Sequence, residues 1–99
     1  GDFTVTIPAG DMRKEVAYCG TKSGRTVDKF KMCGLKTAAG RHVASPVLKI
    51  AGRHYECRIV CKSAMDPANL DKEYDATLYP EKDYHTLYFG EILACYETD

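Results

Sequence analysis

Apolar and polar residues alternate with a period of two between His54 and Lys62, where Tyr55, Cys57, Ile59 and Cys61 interleave with His54, Glu56, Arg58, Val60 and Lys62. A strand with this period turns one set of side chains toward a packed face and the other toward water. The stretch Pro46 to Lys62, PVLKIAGRHYECRIVCK, therefore predicts two strands joined by a tight turn at Ala51-Gly52-Arg53, with the sulfur and apolar set inward. The same alternation runs through Phe3, Val5 and Ile7 and stops at Pro8-Ala9-Gly10-Asp11, which predicts a first strand from Asp2 to Ile7. Glu15 to Thr21, with Val16 and Tyr18 on one side, reads as the second.

Helical spacing replaces this alternation at Val27, Phe30, Cys33 or Gly34, and Ala38. Thr26 is a suitable N-cap, Asp28 sits in the first turn where the helix dipole favours a negative charge, and Gly40 is a C-terminal stop. One helix is predicted there, with Lys29, Lys31 and Lys36 in solvent. Asp66-Pro67 opens a second, short helix. Tyr74 to Tyr79 and Tyr84 to Tyr96 then read as a last pair of strands, with a bulge at Gly90-Glu91. The predicted fold class is α+β, one α-helix packed on an antiparallel β-sheet, in a single domain spanning residues 1–99.

Composition agrees with a folded domain, at 28% charged and 44% hydrophobic residues. No apolar run approaches the ~18 residues of a membrane-spanning helix. Gly1-Asp2 is not the start of a signal peptide, so a secreted reading takes the numbering to begin after a removed leader. The net charge is zero, but nine Lys and Arg face four Asp and Glu in residues 1–50, and five face ten in residues 51–99. The basic half can draw phosphate or an acidic partner, or simply be neutralised by the acidic half in the fold.

Five cysteines in so short a chain predict an oxidising, secreted setting with up to two disulfides and one free thiol. Cys57 and Cys61 lie four residues apart on one strand, about 13 Å at ~3.3 Å per residue. That is beyond the ~7 Å limit for bridged Cα atoms. The other pairings stay open. Cys-x-x-x-Cys within a strand is also a poor zinc pattern, so neither a metal nor any other cofactor is predicted.

A cysteine before a helix, a central hairpin and a closing hairpin ending in a cysteine are carried by YCGTKSGRTVDKFKMCGLKTAAG, HVASPVLKIAGRHYECRIVC and ATLYPEKDYHTLYFGEILAC. This order resembles the RNase-like secreted effectors of powdery mildews and related fungal plant pathogens. The small β-sandwich effectors of cereal-infecting fungi share the central hairpin. The resemblance implies a disulfide-stabilised RNase-like fold and a Cys19–Cys95 bridge. It also implies a non-catalytic virulence protein, secreted and translocated into the host cytoplasm, that binds a host plant protein such as an immune receptor. The only Tyr-x-Cys, Tyr55-Glu56-Cys57, lies mid-chain rather than near the N-terminus as in that family.

RNA cleavage through a cyclic phosphate needs a base, an acid and a cation. If the chain were a ribonuclease, Glu56 would be the base, Arg58 the phosphate clamp and His85 the acid. Two of the three share one strand, unlike the three-strand layout of ribonucleases. A cross-strand charge ladder on a solvated sheet face accounts for them better, and no enzymatic activity is predicted. Tyr79, Tyr84 and Tyr88 cluster near the closing hairpin beside Asp75, Glu81 and Asp83, charges that repel a nucleic-acid backbone. A protein-docking surface is therefore preferred there over RNA binding.

Overall fold

A computed structural model describes residues 1–99. In chain order the elements are β1 (Asp2–Pro8), α1 (Arg13–Thr21), α2 (Lys29–Met32), β2 (Thr37–Ala38), β3 (Val47–Leu48), β4 (Gly52–Ala64), a 3-10 turn (Pro67–Asn69), α3 (Lys72–Leu78) and β5 (Thr86–Thr98). β4 is the centre of a three-stranded antiparallel sheet, flanked by β1 and β5. β2 and β3 form a separate two-stranded ribbon, with Thr37 opposite Leu48 and Ala38 opposite Val47.

The first strand lies where alternation placed it, and Asp66 caps the 3-10 turn by accepting from the Ala68 amide at 2.9 Å. Elsewhere other local signals prevail. Glu15 to Thr21 is helix, not strand: Glu15, Tyr18 and Cys19 are its half-buried residues, a spacing of three and four, and Val16 is exposed. The predicted long helix is a single turn. Asp28 caps it by accepting from the Lys31 amide at 3.2 Å, and Gly34, at φ 64°, ends it six residues before Gly40. Thr26 instead bonds the Ser23 carbonyl in the preceding turn. Pro46 to Lys62 is not one hairpin, because Val47 and Leu48 pair with β2 while β4 pairs with β1 and β5. Tyr74 to Tyr79 is largely helical, since Asp71 accepts from the amides of Glu73 and Tyr74 and starts α3.

These differences overturn the RNase-like class. None of the three helices contains a buried residue, so no helix is packed across the sheet. All five cysteines are free, and the fold is not disulfide-stabilised. Cys95 is exposed on β5, whereas Cys19 faces Cys33 with their sulfurs 4.0 Å apart.

The long β4–β5 ribbon carries two register shifts, one leaving Leu93 and the other leaving Val60 without a partner. The second falls beside Gly90, where the bulge was predicted. A Cβ on Gly90 would lie 2.5 Å from Phe3 Cζ and 2.9 Å from Cys57 Cβ, so the absent side chain is what lets the Phe3 ring lie against the strand.

Six residues are buried: Val47, Gly52, His54, Glu56, Cys57 and Tyr79. The accessible surface is 7720 Å², against roughly 5,600 Å² for a compact 11 kDa chain. The radius of gyration is 15.9 Å, against about 13 Å. Much of the apolar surface is uncovered, including Val60, Leu87, Tyr88, Phe89, Ile92 and Leu93 on the ribbon.

Candidate functional site

The buried centre of the sheet is polar. Glu56, fully buried on β4, accepts from the backbone amides of Arg41 at 2.8 Å and His42 at 2.6 Å and from the Tyr96 hydroxyl. Burial pushes the Glu56 carboxyl up. The bonds from Tyr96, Arg41 and His42 outweigh that and hold it at about 2. Burial and the bonded carboxylate push Tyr96 up in turn. The Arg41 guanidinium lies 3.7 Å above the Tyr96 ring, a cation–π contact at the edge of the same cluster. His54, also buried, has Thr6 Oγ1 2.9 Å from Nδ1. Thr98 donates its hydroxyl proton to the Ile50 carbonyl, so it accepts from His54 Nε2–H at 2.7 Å.

A second carboxylate finishes what Glu56 begins. Asp2 on β1 accepts from the Ser45 hydroxyl and from the Ala44 and Ser45 amides, which lowers its pKa. The loop from Arg41 to Ser45 is thus clamped by the sheet at both ends. Pro46 follows immediately and accepts from Thr4 at 2.8 Å, so the clamp sets the wall of the adjoining cleft.

That cleft has a volume of about 320 Å³ and is lined by Thr4, Cys19, Lys29, Phe30, Leu35, Thr37, Pro46 and Leu48. Lys29 and Phe30 form a ridge shared with a second hollow of about 500 Å³ bounded by Gly24 to Phe30. One N–H of Lys29 Nζ is held by the Cys19 carbonyl at 2.7 Å. The remaining ammonium donors are available to an anion. Phe30 is exposed, and Leu35, Pro46 and Leu48 complete an apolar wall. The place suits a flat apolar group bearing a negative charge.

The residues singled out for RNA cleavage do not meet. Glu56 is sealed in the sheet, and Arg58 pairs with Glu91 on the exposed surface at 2.7 Å. His85 sits beside Met65, whose amide bonds its carbonyl, nine positions along the chain from Glu56; at ~3.3 Å per residue this is about 30 Å. His85 Nδ1 instead lies 2.6 Å from the Tyr79 hydroxyl oxygen, which is also bonded to Met65 Sδ. Of the three tyrosines, Tyr79 is buried, Tyr84 is half-buried and donates to Asp75 at 2.7 Å, and Tyr88 is exposed. Lys29 and Phe30 were missed because helical spacing assigned Lys29 to solvent. The available signal was the basic run Arg25, Lys29, Lys31 interrupted by one aromatic. Arg41 and Tyr96 gave no signal at all, since their roles depend on Glu56 being buried.

A family model described as flavin reductase like domain matches residues 1–99. An uncharacterised protein of Archaeoglobus fulgidus is 31% identical over 93 residues, covering 94% of this chain and 43% of the relative. One from Pyrococcus abyssi is 29% identical with the same coverage of each. Among solved structures, flavoredoxin of Desulfovibrio vulgaris (Miyazaki F) matches with a TM-score of 0.69 at 24% identity, over 100% of this chain and 43% of that one. The chain spans under half the length of these relatives. These findings overturn the effector reading, which rested on the order of cysteines, helix and hairpins. The match is to a flavin reductase like domain, the relatives are archaeal and bacterial, and no disulfide is present. Secretion to a plant host, virulence and the non-enzyme expectation are withdrawn with it.

Proposed function

Because the chain belongs to the flavin reductase-like domain family, we propose that it forms part of a flavin-binding redox domain whose flavin occupies the Lys29–Phe30 cleft. The observation that carries this reading is the family match over all 99 residues. The donor set fits: Phe30, Leu35, Pro46 and Leu48 supply apolar walls for a planar ring, and Lys29 supplies an ammonium for an anionic group. A bound flavin supplies hydride-accepting, two-electron chemistry. The chain's own part is to bind, orient and keep water out. Lys29 is fixed by its bond to the Cys19 carbonyl, so its charge is placed before the ligand arrives. The clamps of Asp2 on Ser45 and of Glu56 on Arg41 and His42 hold the loop that leads into Pro46. The uncovered apolar face of the ribbon is where further parts of such a domain pack.

Flavin mononucleotide titrated into the protein, followed by quenching of flavin fluorescence, tests the reading. Saturable binding is expected, weakened roughly ten-fold or more by Lys29→Ala, since a charge-assisted hydrogen bond contributes about 1.5–3 kcal/mol. Binding unaffected by Lys29→Ala and Phe30→Ala would put the flavin elsewhere. No binding would remove the proposed function.

A further inference from the structure

Cys19, near the end of α1, and Cys33, at the end of α2, hold their Sγ atoms 4.0 Å apart, the sole sulfur–sulfur contact among the five cysteines. Both are half-buried, and nothing in the flavin reading uses the pair. A disulfide has an S–S length of ~2.05 Å, so closure needs an approach of about 2 Å, within the reach of side-chain rotation. The helices carrying the pair are already tied together by the bond from Lys29 Nζ to the Cys19 carbonyl. Cys19 also lines the cleft beside Lys29 and Phe30, while Cys33 does not. A reagent in the cleft therefore meets Cys19 first.

We propose that Cys19 and Cys33 are a redox-active dithiol that reduces small anionic disulfides entering the Lys29–Phe30 cleft. Cys19 loses its proton, and its Sγ attacks one sulfur of R–S–S–R; the S–S bond breaks and the departing RS⁻ takes up a proton to become RSH. Cys33 then loses its proton and attacks Cys19 Sγ, forming the Cys19–Cys33 bond and releasing the second RSH. Two protein thiols are oxidised and one disulfide is reduced, once per chain. This order suits the surroundings: burial and the contact with Cys19 push the Cys33 thiol up, which keeps it protonated until the second step. Lys29 offers the charge that draws a carboxylated reagent. The proposal needs the two sulfurs and the cleft, and stands whether or not the cleft takes a flavin.

Reduced protein treated with oxidised glutathione, acid-quenched, alkylated and digested with trypsin gives the test. Lys22, Arg25, Lys29 and Lys31 separate the two cysteines, so a bridge appears as two joined tryptic peptides. Joined Cys19 and Cys33 peptides are expected from the unaltered chain, and a glutathione adduct at Cys19 should accumulate in Cys33→Ser. Cys19→Ser should acquire an adduct at Cys33 roughly ten-fold more slowly. Both cysteines recovered as alkylated thiols, with glutathione confined to Cys61 and Cys95, would overturn the proposal. So would adducts forming equally fast on Cys19 and Cys33 in the two variants.

Discussion

β4 and β5 run side by side for their whole length, yet their two ends are different materials. At one end, Arg53 to Cys57 is also paired with β1, and the polar pair His54 and Glu56 is buried. At the other, Cys61 to Ala64 pairs only with β5, and Val60, Leu87 and Phe89 are about half exposed. The first end is polar and closed, the second apolar and open. Burial here follows what lies over the strand: the Arg41–Ser45 loop, Tyr96, Thr98 and Thr6 of β1 satisfy Glu56 and His54 at one end, while Val60 to Ala64 stay exposed at the other. The closed end holds the cleft in shape. The open end is a bare apolar surface.

Removing the Glu56 carboxylate should break this contrast most severely. Glu56→Ala leaves three donors without their acceptor in a dry site, and a loss of about 3–5 kcal/mol in urea unfolding is expected. The pH dependence follows from the same group. Its folded pKa, about 2, is depressed below the ordinary 4.5, so its stabilisation is complete above about 4.5 and lost as pH falls through 2. Glu56→Gln should lose that acid-side slope, measured as the change in urea midpoint between pH 5 and pH 2.5.

Gly90→Ala, at the boundary of the two ends, places a methyl against the Phe3 ring and should cost roughly 1–3 kcal/mol, read from the thermal midpoint. Least of all, Arg58→Ala removes an exposed cross-strand pair with Glu91 and should change stability by less than about 1 kcal/mol. A cost for Arg58→Ala near that of Glu56→Ala would erase the distinction between the two ends.

How much of this was legible in the residues depended on range. β1 was visible because Phe3, Val5 and Ile7 alternate and Pro8 stops them; its partner was not, since Arg58 opposite Asp2 is a tertiary choice. The face of β4 was assigned in the wrong sense around Glu56. Alternation sorts side chains by polarity, and it sends a glutamate to water unless amides from a distant loop are known to be waiting for it. Gly34 rather than Gly40 ended the helix because left-handed geometry, which a sequence does not display, fell there. The cysteine count suggested disulfides, and the nearest pair turned out to be Cys19 with Cys33, a proximity created by two short helices that alternation and helical spacing had merged differently. Of the cleft, only the basic run around Lys29 could be seen in advance.

Hydrogen exchange with and without flavin mononucleotide tests the central claim most directly, because it reads the cleft, the clamp and the open ribbon in one measurement. Added flavin should slow exchange in residues 24–35 and 46–48, leave the already slow Arg53–Cys57 amides unchanged, and leave Val60–Ala64 fast. Protection that appears on Val60–Ala64 and Thr86–Gly90 while residues 24–35 stay unprotected would contradict the account, placing the flavin on the open ribbon instead of the cleft.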